Sequence, residues 1–123
     1  MRDARNFWIT FDPQTVEEFI AGMAGPHSAD VRMVLSYWDM AASLVENGAI
    51  DRKMFQDANG EYIIVYAKVE PFLPKLREMF GNPNMGIHLE RLALSLPNAR
   101  EVIDGTLKRI RTMVARRAES ANA

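Results

Sequence analysis

Between Ala29 and Asn47, apart from Asp30 in the first turn, the polar residues fall at Arg32, Ser36, Asp39, Ser43 and Glu46, separated by 4, 3, 4 and 3 positions. That spacing keeps residues on one side of an α-helix, so these five predict a single narrow polar stripe. The rest of the segment is apolar or small: Val31, Val34, Leu35, Tyr37, Trp38, Met40, Ala41, Leu44 and Val45. A helix that is apolar around most of its circumference is expected at the centre of a bundle. Ser28 is placed to cap it and Gly48 to end it.

The same repeat predicts five further helices. Over 13–24, Val16, Phe19, Ile20 and Met23 share a face. Asp12 is the expected cap there, Pro13 suits the first helical position, and Gly25-Pro26 stops the helix. Upstream, Phe7, Trp8, Ile9 and Phe11 form an aromatic patch, expected to cover the core as an N-terminal arm over residues 1–12. A short helix is expected over 52–58, after Asp51. The next segment is ambiguous at its start. Tyr62-Ile63-Ile64-Val65-Tyr66, after Asn59-Gly60, has the composition of a strand following a hairpin turn. Yet Tyr62, Val65, Val69, Phe72, Leu76 and Met79 keep a 3–4 spacing over the whole of 61–80, which favours helix. Pro71 and Pro74 each remove a backbone donor, predicting a break within 67–74. A helix over 85–95 aligns Met85, Leu89, Leu92 and Leu96. The last runs from about 99 to 117, with Ala99, Ile103, Leu107, Ile110 and Val114 as a narrow seam suited to another helix, in this chain or in a second copy. Gly105 lies inside this helix and is expected to admit the close approach of another backbone. Met33, Met40, Met54 and Met79 fall on apolar faces and are expected as core filler. The reading is all-α: a compact bundle of five to six helices forming one domain over 1–123, with 118–123 a frayed tail.

Composition narrows the chemistry. With 123 residues there is room for one core only. No cysteine is present, which excludes disulfides, thiolate catalysis and Cys-based metal sites. No run approaches the roughly 18 apolar residues of a membrane span, and no signal peptide is visible, so a cytoplasmic protein is expected. The formal net charge of −1 is uneven: residues 100–123 carry six cations against three acids.

Three pieces of the chain carry a resemblance. One is Tyr37-Trp38-Asp39-Met40-Ala41 running into Leu44-Val45-Glu46-Asn47-Gly48-Ala49-Ile50-Asp51. The second is Tyr66 followed by Val69-Glu70-Pro71-Phe72-Leu73. The third is Gly81-Asn82-Pro83 ahead of His88-Leu89-Glu90-Arg91-Leu92. Over Val31 to Leu94 the chain resembles a bacterial family of small helical proteins, a domain of unknown function. The resemblance implies an all-helical fold and supports helix over 61–80. Many relatives carry an N-terminal membrane helix, a feature this chain departs from. The family supplies no catalytic residue to carry over.

Candidate chemistry is thin. The two histidines, His27 and His88, form neither a Glu-x-x-His nor a His-Glu-x-x-His motif, and a two-His site requires them to meet in space. There is no Gly-rich phosphate loop and no Gly-x-Ser-x-Gly. Asp39 and Glu46 could act as an acid–base pair only in a shared dry cleft. The segment 51–80 mimics a helix-turn-helix, but Glu61-Tyr62-Ile63-Ile64 is poor groove chemistry. Lys108, Arg109, Arg111, Arg116 and Arg117 form a basic face, expected opposite the seam of Ile103, Leu107, Ile110 and Val114. No catalytic, metal or cofactor site is expected. The leading reading is a non-enzymatic interaction or regulatory module that binds a protein partner or itself. The second is a nucleic-acid-associated protein using the last helix. The third is a small-molecule binder or enzyme with an interhelical pocket near Asp39 and Glu46.

Overall fold

A computed structural model describes residues 1–121, which are all-helical. The helices are α1 (Arg2–Thr10), α2 (Val16–Ala24), α3 (Ser28–Glu46), α4 (Arg52–Ala58), α5 (Glu61–Val69), α6 (Leu73–Met79), α7 (Ile87–Leu94) and α8 (Ala99–Ala121), with a 3-10 turn at Glu70–Phe72. Eight helices replace the expected five to six for two reasons. The N-terminal arm is itself a helix, and the prolines divide 61–80 in two. That division lies where Pro71 and Pro74 withhold their donors. Tyr62 to Tyr66 are helical, so the 3–4 apolar spacing prevails over β-branched composition.

α3 packs against α1, α2, α4, α5 and α7, while α5 also carries α7 and α8. The core contains Val31, Val34, Trp38, Ala42 and Val45 of α3, Tyr62, Val65, Tyr66 and Val69 of α5, and Leu89 and Leu92 of α7. The burial of α3 is one-sided, which corrects its expected place at the centre. Met33, Tyr37, Met40 and Leu44 face outward. The methionines are not core filler either: Met54 is 68% exposed, and Met33, Met40 and Met79 are close to half exposed.

Several helix ends differ from expectation. Thr15, not Asp12, caps α2, its side chain accepting from the Glu18 amide at 3.1 Å. His27 rather than Ser28 stands at the cap of α3, without a side-chain cap bond. At the other end of α3, Gly48 takes φ +81°, its amide donates to Val45 and the Ala49 amide donates to Leu44. This is the paired closure for which glycine is favoured. Asp51 caps α4 as predicted, accepting from the Met54 amide at 2.9 Å. α8 continues through Ala121, so 118–121 are helical rather than a frayed tail. Residues 122–123 of that tail lie outside the described residues.

α1 was the least legible element. Ala4 and Trp8 are buried one turn apart, while Phe7 and Phe11 lie against the core edge. Trp8, Phe11, Phe19 and Phe72 form a run of aromatic contacts with centroids 5.4 to 6.3 Å apart. Gly22 makes room for it: a Cβ there would lie 2.6 Å from the Phe11 ring. Gly105 has no such role, since a Cβ there meets only the Arg109 guanidinium at 3.5 Å.

Candidate functional site

The polar stripe of α3 splits into parts with different tasks. Asp39 Oδ1 accepts from the Leu89 amide at 2.9 Å. α7 begins at Gly86, which has no side chain to cap it. Asp39 therefore supplies from a neighbouring helix the oxygen that a Ser or Asp normally supplies locally. Glu46, two turns further along α3, binds α7 through His88 Nδ1 and through Arg91 Nη1 at 2.8 Å. The hydrogen bond from His88, then that from Arg91, holds the Glu46 carboxyl below its ordinary value. Ser43 accepts from the Asn47 side-chain amide, 3.3 Å at Oγ and 2.8 Å at its carbonyl. Arg32 and Ser36 remain on an open groove of about 450 Å³, which Asp39, Phe80 and Asn82 also line. Glu46 does not line it, so the two carboxylates expected as an acid–base pair share no cleft. Each is instead a tie between α3 and α7.

The histidines do not meet. His27 lies at the start of α3, bonded to Asp30 at 2.9 Å and stacked on Phe7 at 4.1 Å. His88 lies at its end beside Glu46. With 19 residues between them in the helix, the two positions are separated by about 28 Å. Among the described residues no three His, Asp or Glu side chains converge as a metal cluster.

The seam of α8 is covered over only half its length. Ile103 is fully buried and Leu107 packs on the core edge. Beyond them Ile110 and Val114 are half-buried and Met113 is exposed. With Ile9 and Ile64 these three line an apolar groove of about 220 Å³ between α1, α5 and the distal half of α8. The five cations do not form one face opposite the seam. Arg117 lines the groove and Arg111 points to Asp12 at 3.8 Å, so these two flank the seam. Lys108, Arg109 and Arg116 are exposed, with one Arg109 nitrogen donating to Thr106 Oγ1 at 3.2 Å. α8 is anchored at its start by Arg100, which binds Glu70 and Asp104. Those carboxylates hold the guanidinium charged well beyond its ordinary range.

Lys68 was missed by the sequence reading. It is 3% exposed, and its ammonium donates to the carbonyls of Trp8, Ile9 and Phe11, the last two at 3.2 and 2.9 Å. A cation at a helix C-terminus satisfies carbonyls that have no intrahelical donor. Burial pushes the Lys68 ammonium down to about 8, against a smaller opposing pull from Asp12. A single lysine inside an apolar helical repeat signals a buried cation only once its acceptors are known, and these lie 57 to 60 residues away.

No helix among the described residues is long and apolar enough to cross a membrane. Residues 1–96 match the family described as a domain of unknown function (DUF4760), and the chain belongs to that family. No curated protein and no solved structure matches the chain. The family match ends just before α8 begins at Ala99.

Proposed function

We propose that this member of the DUF4760 family is a non-enzymatic, cytoplasmic interaction module, and that its docking surface is the distal half of α8. One observation carries the reading: Ile110, Met113 and Val114 line, with Ile9 and Ile64, an apolar groove that the chain leaves open. Contiguous exposed apolar surface on a small protein marks an interaction site. Arg117 lines the groove, and no acid occurs between residues 105 and 118. Its charge selects an acidic amphipathic helix, with apolar residues in the groove and a carboxylate on Arg117.

A photo-crosslinking residue at position 113, in cells of the protein's own source, tests this. The expected adduct is an acidic amphipathic segment of one protein, lost in the Arg117→Glu variant. Labelling that is unspecific, or unaffected by this charge reversal, removes the proposal.

Nucleic-acid binding is the second reading, supported by the outward exposure of Lys108, Arg109 and Arg116. Its mark is steep salt dependence, because each phosphate contact releases counterions. A fluorescence titration with short DNA and RNA at low salt decides it: no binding there eliminates this reading and leaves the groove reading intact.

A further inference from the structure

A second apolar face is uncovered, and it differs in kind from the groove on α8. Met33, Tyr37, Met40 and Leu44 are 41 to 49% exposed, although the opposite side of α3 is buried from Val31 to Val45. Their separations of 4, 3 and 4 are those of a seam by which two helices pack knobs into holes. The side chains beside the middle of the seam are small, Ser36 on one flank and Ala41 on the other, so a second backbone can approach closely.

Charge and symmetry identify what covers it. From Met33 to Leu44 the only formal charge is Asp39, and that carboxylate is turned to the Leu89 amide. A twofold axis sets a surface against itself and doubles whatever charge it carries. The neutral face of α3 tolerates this, whereas the cationic face of α8 opposes it. In an antiparallel arrangement the seam is self-complementary: Met33 lies opposite the second copy's Leu44, and Tyr37 opposite the second copy's Met40.

We propose that two copies of this chain associate through α3, packed antiparallel along Met33, Tyr37, Met40 and Leu44, leaving α8 free for a different partner. One helix face per subunit falls at the low end of interface sizes, below about 1,200 Å² in total, so the dimer forms and dissociates with concentration.

The absence of cysteine lets single engineered cysteines report the geometry. In this register the axis passes between residues 38 and 39. At about 1.5 Å rise per residue, the two copies of position 40 are offset by about 4.5 Å along the helices, and those of position 33 by about 17 Å. A bismaleimide spanning roughly one helix diameter, about 10 Å, should therefore crosslink Met40→Cys to itself. It should not crosslink Met33→Cys or Leu44→Cys alone, but should join a mixture of the two. Sedimentation velocity should show a monomer–dimer equilibrium whose dissociation constant rises at least tenfold in Met40→Glu, with helical circular dichroism unchanged, and stays the same in Met113→Glu. Tyr37→Ser provides the same test should Met40→Glu fail to fold. A monomer at every concentration overturns the proposal, as does a dimer that survives both α3 variants or is lost in Met113→Glu. Self-crosslinking of Met33→Cys overturns the antiparallel register. None of these outcomes bears on crosslinking at position 113, so the two proposals fail separately.

Discussion

α3 and α8 are the two longest helices, and both show a 3–4 apolar repeat, yet the fold uses them in opposite ways. α3 buries one side along its whole length and presents a second apolar side to solvent. α8 has a single seam, which sinks into the body at Ile103 and emerges by Ile110. Periodicity therefore identifies which side of a helix is apolar without saying how far along the helix that side is covered. The neighbours decide that. α3 has α1, α2 and α7 beside it, while α8 leans on α5 and α7. The two uncovered faces differ again in charge, one neutral and one cationic, which is why they suit different partners.

The largest test of this contrast is truncation of one residue from each helix, the buried Trp38 of α3 and the half-buried Val114 of α8. Trp38→Ala should cost about 3–5 kcal/mol by urea unfolding, while Val114→Ala should cost less than about 1 kcal/mol. Similar losses would mean that α8 is as firmly packed as α3.

Lys68→Met should cost about 2–3 kcal/mol, because three carbonyls at the end of α1 lose their donor in a buried setting. It should also change the alkaline profile. The folded chain holds this ammonium at about 8 and the unfolded chain at its ordinary 10.5. Between those values the unfolded state binds the proton more tightly, so wild-type stability should rise with pH across that window. Urea titrations at pH 8 and pH 10.5 should show this rise in the wild type and its loss in the variant.

Asp39→Ala should cost about 1 kcal/mol, the usual value of a helix cap, with α7 losing amide protection first. Ser36→Ala, on the same stripe but without such a bond, should stay within about 0.5 kcal/mol. Equal effects would refute the division of the stripe into ties and open positions.

The smallest effect belongs to Glu46. Its carboxyl is held below the ordinary value by His88 and Arg91. The stability it adds is present above the ordinary carboxylate range and lost as pH falls through its lowered value. Acid unfolding of Glu46→Gln should therefore be shallower than that of wild type, and identical curves would show that the pairing contributes nothing.

What was readable in the sequence was what is local. The apolar spacing gave α2, α3, α7 and α8, the Asp51 cap gave α4, and the prolines located the break after α5. Family membership was legible from motifs that proved structural: Asp39, His88 and Arg91 hold α3 and α7 together. What stayed hidden depends on distant neighbours. α1 escaped notice because only Ala4 and Trp8 are buried among polar residues, giving too short a repeat. The outward methionines were misassigned because an apolar side chain on a helix looks the same whether or not another helix covers it. The seam of α8 was found, but its division at Leu107 was not, since nothing local marks how far the helices packed beside it cover it.

The attachment of α1 through Lys68 also sets an order of events at the ribosome. The acceptors Trp8 and Phe11 are made 60 and 57 residues before their donor. At about 5–20 residues per second, the first helix waits about 3–12 s for the lysine that ends it. During that interval α2 and α3, on which α1 packs, are made, but the carbonyls at the end of α1 still have no donor. The aromatic stretch from Phe7 to Phe11 is thus made well before the residue that secures it, and over that interval it is open to a chaperone.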